Sequence, residues 1–237
     1  MSNNERFLKN YKILEVLLEE YYGMRANSHN SSSIIRYYHE LRKSYSFRDR
    51  ERAVKLDTCR TIRNTMAHEN VNDAITVTDD FVKFLEDEIK LLVDPVTAEQ
   101  VALNINRAFT CTLEDDARKV MEVMVRRGFS HVPVMENGNL YGVFSQKIIF
   151  QWLYYETATN IKKGAKIKDF AAYLPIKAHT GERYVFVKKD ETINEITRMF
   201  EESRGHKVKI GLIFVTEHGK KSEKIIGFIT PYDLIYY

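Results

Sequence analysis

Cysteine is scarce. Cys59 and Cys111 are the only two in 237 residues, and they stand far apart with no CxxC pair and no cluster of histidines around either. That excludes a disulfide framework and offers no zinc pattern or other metal cluster, so both thiols are expected to be reduced and the protein intracellular. A surplus of one charge is missing too: 36 basic and 33 acidic residues leave a net charge of +3. The field of the whole chain therefore argues for neither nucleic acid nor membrane, and any basic patch must be local. No apolar run approaches the ~18 residues of a membrane span, and the opening MSNNERFLKN is charged where a signal peptide needs an apolar core. The expectation is a cytoplasmic protein with no membrane contact. Hydrophobic residues still make up 44% of the chain, enough for one large or two modest domains.

What is present changes texture at Pro95. Before it, Phe7, Tyr11, Leu14, Leu17, Leu18 and Tyr21 recur at helical spacing from Asn4 to Tyr22, and Gly23 ends the run. The polar stretch NSHNSSS, Asn27 to Ser33, reads as a loop finishing in a serine cap before a second helix through Ile34, Ile35, Tyr38 and Leu41. A third helix spans about Asp49 to His68. A fourth starts after Thr78, with acids in its first turn, and stops at Pro95. Residues 1–95 read as a four-helix bundle.

After Pro95 a strand, helix, strand, strand, helix pattern occurs twice. The first copy, about 105–156, has FTCTL, a helix over Asp116 to Arg127, SHVPVME, a turn at NGN, LYGVFS and a helix over Gln146 to Tyr155. The second, about 183–237, has YVFVKK, a helix over Thr192 to Ser203, IGLIFVTE, a turn near HGKKSEK, IIGFIT and a closing Pro231 to Tyr236. One copy alone would be half exposed, so residues 100–237 read as a pseudo-symmetric pair forming one unit. The fold class is α+β.

The frame Gly227, Phe228, Ile229, Thr230, Pro231, Tyr232, Asp233 sits at the last strand–helix junction. A strand ending at Thr230 brings its hydroxyl and the first free N–H groups of the next helix to one point, which suits phosphate, and Asp233 can accept both ribose hydroxyls. The same residues are equally an N-cap, a Pro at the first helical position and an early acid, which stabilise a helix start with no ligand. In the first copy the frame reads Gly142, Val143, Phe144, Ser145, Gln146, Lys147, Ile148. With Ile148 in place of the acid, the first junction lacks the carboxylate, so only one of the two junctions offers an acceptor for a ribose.

SHVPVMENGNLYGVFS and IGLIFVTEHGKKSEKIIGFITPYD, with the Gly227 to Asp233 frame, resemble the two halves of a tandem CBS-domain module. The resemblance implies paired β-α-β-β-α repeats and an adenosine-containing ligand (AMP, ADP, ATP or a relative) in a cleft holding Thr230, Asp233 and Ile229. It also implies that Phe109, Thr110, Phe129, Ser130 and His131 line that cleft. Lys207 and Lys209 are either phosphate contacts or a solvated connection.

At 100° per residue the third helix turns Cys59, Ile62 and Met66 into an arc of roughly 60°, and Arg63 and His68 lie roughly 140° apart on the other side, flanking Ala67, with Asn64 one turn before His68. Attack on RNA by its own 2′-hydroxyl needs a group of near-neutral pKa to move protons and a fixed cation for the phosphate, roles that suit His68 and Arg63, with Asn64 as an orienting group. The motif Arg63, Asn64, three residues, His68 in a compact bundle is similar to the HEPN superfamily, whose R-N-x-x-x-H ribonucleases build a metal-independent site across a dimer. That resemblance implies a homodimer and no required cofactor. The plain alternative is a helix C-terminus whose histidine favours the dipole. From Arg36 to Arg63 nine basic residues face four acidic ones, with Tyr37, Tyr38, Tyr45 and Phe47 between them. Such a surface suits single-stranded RNA, and a solvated face with tyrosines turned inward explains it as well. Two functions stand side by side: a nucleotide-regulated endoribonuclease, and a non-catalytic nucleotide-binding module whose helical half dimerises or docks a partner.

Overall fold

A computed structural model of the protein describes residues 1–23, 33–44, 47–68, 75–156 and 160–234, with the side chains of Phe47 and His68 outside the description. The chain divides into two units, Met1–Pro95 and Val96–Tyr237.

The first unit holds four helices: α1 (Asn3–Tyr21), α2 (Ser33–Lys43), α3 (Phe47–His68) and α4 (Asp79–Val93). A capping box starts α1: the Ser2 hydroxyl accepts from Glu5 N–H while Ser2 N–H donates to Glu5 Oε2 at 2.7 Å. Gly23, at φ +60, takes the left-handed turn after the helix that a side chain would resist. The core is built from one stripe per helix, with Phe7, Leu14 and Leu18 of α1, Ile34 of α2, Leu56 and Cys59 of α3 and Leu85 of α4 all fully buried. Tyr21, expected in the α1 stripe, is exposed because the helix ends there. Ser33 is not a cap but the first helical residue, and its hydroxyl donates to Glu15 O in α1; the rest of the predicted 27–33 loop lies outside the described residues.

A buried ion pair clamps α2, α3 and α4. Arg52 holds Glu88 through two N–H···O bonds of 2.7 and 2.8 Å and Asp49 at 2.8 Å, and Tyr37 donates to Glu88 at 2.7 Å. Tyr37 and Arg52 are therefore interior, and Lys55 and Arg60 pair with Asp80 and Asp57. Acids of α4, distant in sequence, thus take up two of the cations counted on this stretch, Arg52 and Lys55, while Arg60 uses an acid of the stretch itself. Tyr45 lies outside the described residues.

The second unit opens with the short helix α5 (Ala98–Val101) and strand β1 (Leu103–Asn104). Then come α6 (Ala117–Arg127), β2 (His131–Glu136), β3 (Asn139–Ser145) and α7 (Gln146–Tyr155). A connection with 3₁₀ turns at Ile167–Phe170 and Ile176–Ala178 leads to β4 (Glu182–Lys188), α8 (Ile193–Arg204), β5 (Lys209–Thr216), β6 (Gly227–Ile229) and a 3₁₀ turn at Pro231–Leu234. β2 and β3 form an antiparallel hairpin, and β1-β6-β5-β4 form a four-stranded sheet in which only β4 and β5 run parallel. Asn137 and Gly138 both have positive φ, the two-residue turn that suits the twist of the hairpin.

The expected strand FTCTL is reduced to one parallel bridge, Cys111 to Val134. Its backbone turns away at once because Thr112 N–H and hydroxyl both donate to Asp115 Oδ2. The repeats pack sheet to sheet, with Val143 from the first and Tyr184, Leu212, Phe214 and Phe228 from the second in one buried cluster.

The leaders of the repeats are exchanged, which the repeat boundaries at 105 and 183 did not foresee. β1, before the first repeat, pairs with β6 of the second. Leu174, before the second repeat, accepts from Val143 N–H of the first at 3.0 Å. Each leader crosses a frame glycine. A Cβ on Gly227 would come 2.6 Å from Leu103 O, and one on Gly142 would come 2.1 Å from Leu174 O.

Candidate nucleotide cleft and its counterpart

β6 delivers Thr230 to the surface of the second unit. Thr230 N–H and hydroxyl both donate to Asp233 Oδ2 at 2.7 Å, and Asp233 N–H returns a bond to Thr230 O. Asp233 is half buried, and its Oδ1 has no hydrogen-bond partner among the described residues. The element after Thr230 is a four-residue 3₁₀ turn that contains Asp233, and Pro231 has no N–H to offer. The phosphate-binding helix start expected here is thus absent from the described residues; a hydroxyl and one carboxylate oxygen remain. The same Thr-x-x-Asp arrangement at Thr112 and Asp115 shows that the pattern also serves as a plain turn.

The equivalent junction of the first copy is richer. Ser145 is fully buried, caps α7 by accepting from Ile148 N–H, and donates to Glu182 Oε1 at 2.6 Å. Tyr184 OH donates to the same oxygen at 2.7 Å, and His131 Nε2 meets Oε2 at 2.9 Å. His179 Nδ1 lies 3.4 Å from Oε1 and Lys147 Nζ 3.5 Å from Oε2. Burial pushes the Glu182 carboxyl up, but the bonds from His131, His179 and Ser145 outweigh it and hold the group well below the usual carboxylate range. An ionised Glu182 sets the His131 tautomer: Nε2 donates, leaving Nδ1 to accept from the Ser130 hydroxyl at 2.8 Å. Burial, with the Glu182 charge beside it, pushes the Tyr184 phenol up.

With both junctions described, the comparisons can be set beside them. The CBS domain family model matches residues 101–155 and 179–237. The second unit is a tandem pair of CBS domains. No curated protein matches the chain. Among solved structures, an acetoin utilization protein, AcuB, from Vibrio cholerae is 16% identical, with a TM-score of 0.44 over 60% of this chain and 89% of that one. CBSX2 in complex with AMP is 14% identical at a TM-score of 0.42 over 59% and 93%. The CBS domain pair of protein MJ0100, in complex with 5′-methylthioadenosine and S-adenosyl-L-methionine, is 13% identical at 0.40 over 59% and 93%.

Within the CBS pair the expected lining residues separate. His131 is the cross-strand partner of Ser145, so it belongs to the first-repeat junction with Glu182; no hydrogen bond joins it to Thr230 or Asp233 among the described residues. Phe109 stacks on Phe129 at 6.4 Å and both pack on the core of the first repeat. Thr110 is half buried and Ser130 exposed. Ile229 is fully buried, with Ala98 and Ile196 in its cluster, so it supports the strand and presents no face to a ligand. Lys207 and Lys209 are exposed. Ile148, in the frame position of the acid, is fully buried. Glu182, His179 and Tyr184 escaped sequence reading because nothing in ERY or AHTGE marks them; only the strand crossover brings them to Ser145.

In the helical unit Arg63 Nη1 donates to Asn64 Oδ1 at 3.1 Å and the guanidinium lies 5.8 Å from the Tyr11 ring centroid. Both residues are half buried. Among the described residues no carboxylate pairs with Arg63. The His68 side chain lies outside the described residues. No group of three or more His, Cys, Asp or Glu suited to a metal occurs among those described, and no helix among them is long and apolar enough to cross a membrane.

Proposed function

We propose that the protein is a nucleotide-binding regulatory module: the CBS pair takes an adenosine nucleotide at the Thr230–Asp233 junction, and the helical bundle docks a second copy or another partner. The observation that carries this is the match of both repeats to the CBS domain together with a half-buried Asp233 whose Oδ1 has no partner among the described residues. The free oxygen suits one ribose hydroxyl; the second contact to the ribose or phosphate requires Oδ2 to exchange one of its Thr230 bonds. The bound forms of CBSX2 and the MJ0100 pair name the ligand class to try first, AMP and S-adenosyl-L-methionine. Calorimetry with AMP, ADP, ATP and S-adenosyl-L-methionine tests it: the expected result is binding lost in Asp233→Ala, and a wild-type chain that takes none of the four sinks the reading.

A second reading concerns the bundle. An arginine with no acidic partner among the described residues, bonded instead to Asn64, remains available to a phosphate. This favours the HEPN-like, metal-independent endoribonuclease formed across a homodimer, with Arg63, Asn64 and His68 as its residues and single-stranded RNA as substrate. Regulation by the CBS ligand then requires that the ligand prefer one dimer arrangement over another. RNA cleavage in EDTA, with and without AMP, is the test. Cleavage that persists unchanged in His68→Ala removes the proposed catalyst, and a monomer by light scattering removes the dimer site.

A further inference from the structure

The two junctions of the CBS pair share a glycine and a hydroxyl but treat the hydroxyl differently. At Thr230 it is spent on an acid three residues on, at the surface. At Ser145 it is spent on Glu182, a carboxylate only 4% exposed that arrives from the other repeat. Around that carboxylate stand two imidazoles, an ammonium and two hydroxyls: His131, His179, Lys147, Ser145 and Tyr184. An ammonium, imidazoles and hydroxyls converging at a strand–helix junction are the donor chemistry of a phosphate site. Here the anion they hold is part of the chain.

The segment that carries Glu182 is fastened over the junction. Lys147 Nζ donates to Gly181 O at 2.8 Å and Gln151 Nε2 to Thr180 Oγ1 at 2.5 Å, so Thr180 and Gly181 lie along the first turns of α7. From the other side β5 closes in: a Cβ on Gly211 would come 2.9 Å from His131 Nε2 and 3.5 Å from Glu182 Oε2. Glu182 is thus closed in by β5 on one side and by the Thr180–Gly181 segment on α7 on the other.

We propose that Glu182 is a built-in anion that keeps the first-repeat cleft shut, its carboxylate holding the donors that a phosphate-bearing ligand would otherwise engage. The proposal deepens the nucleotide reading and rests on it: the module binds one nucleotide per chain, at Thr230–Asp233. Ile148 alone would merely weaken the first cleft, whereas Glu182 actively fills its anion position. Opening it requires the Thr180–Glu182 segment to lift from α7.

The test is titration with AMP and, separately, with inorganic phosphate, read by calorimetry and by the imidazole resonances of His131 and His179. The wild-type chain is expected to bind one AMP with those resonances unmoved, and Asp233→Ala to bind none. Adding Glu182→Ala to Asp233→Ala is expected to restore binding of phosphate or AMP with both histidines moving. A folded double variant that binds neither, or a wild-type chain that binds two AMP, overturns the proposal. Should Glu182→Ala fail to fold, Glu182→Gln keeps the shape and removes the charge: phosphate must then move His131 and His179 at lower concentration than in the wild type, and an unchanged response is equally fatal. If the wild type takes no AMP yet the double variant takes phosphate, the nucleotide reading falls and the built-in anion stands.

Discussion

Gly142 to Ile148 and Gly227 to Asp233 are the same seven-residue frame in two repeats, and they diverge at one point. Both glycines sit where a carbonyl from the other repeat's leader crosses, Leu174 O over the first and Leu103 O over the second. The glycine is thus a packing requirement that both copies meet. The hydroxyl three residues before the end of each frame is not so bound. Thr230 finds its acceptor locally in Asp233, whereas Ser145 has Ile148 in that place and takes Glu182 from 37 residues away. A frame that looks like one motif is two features: a glycine set by backbone contact, and an acid whose presence decides whether the hydroxyl finds its acceptor locally or in the other repeat.

That difference can be broken most severely at Glu182. Glu182→Ala leaves imidazoles and hydroxyls without their buried acceptor and is expected to cost about 3–5 kcal/mol. Urea unfolding followed by Trp152, the single tryptophan, which lies 4.8 Å from the Phe170 ring, reads this in the second unit. The pH dependence carries the same sign. Because the folded carboxyl is held below its ordinary value of 4.5, its contribution is complete above that pH and is lost as pH falls toward the folded value. Glu182→Gln is expected to flatten the acid limb of the stability profile between those two values.

The glycines come next. Gly142→Ala is expected to cost about 1–3 kcal/mol by overpacking, and Gly227→Ala less, since its added carbon would sit 2.6 rather than 2.1 Å from the crossing carbonyl. Equal losses in urea melts of the two variants would show that the leaders do not hold the frames in this way. Asp233→Ala, which removes only a local acceptor for Thr230, is expected to cost about 0.5–2 kcal/mol while abolishing nucleotide binding; a stability loss matching that of Glu182→Ala would erase the contrast between the two junctions. The smallest effect is chemical. Desolvation pushes the Cys59 and Cys111 thiols up to about 12, so native protein at pH 8 is expected to resist iodoacetamide until it unfolds, as mass spectrometry would report.

Much of this was legible from residues alone. The apolar spacing marked the four helices, and NGN and the strand patterns marked the hairpin and the duplicated unit, because helical and strand periods are local properties. The contact between Thr230 and Asp233 was legible from their spacing for the same reason. His131 was read beside Thr230 and Asp233, whereas its bond runs to Glu182 and its cross-strand neighbour is Ser145, a pairing set by register and not by sequence distance. Ile229 was read as ligand-facing although strand alternation turns it into the core. Arg52 and Tyr37 were counted toward a surface because their partner Glu88 lies a helix away.

By itself the sequence determined the helical bundle, the duplicated β-α-β-β-α pattern and the asymmetry of Asp233 against Ile148, all of which depend on neighbours within a few residues. Tertiary structure alone decided the exchange of leaders over Gly142 and Gly227 and the delivery of Glu182 to Ser145. The reason is physical. A buried carboxylate is stable only where donors from several strands and a helix converge, and that convergence does not exist until the two repeats have packed.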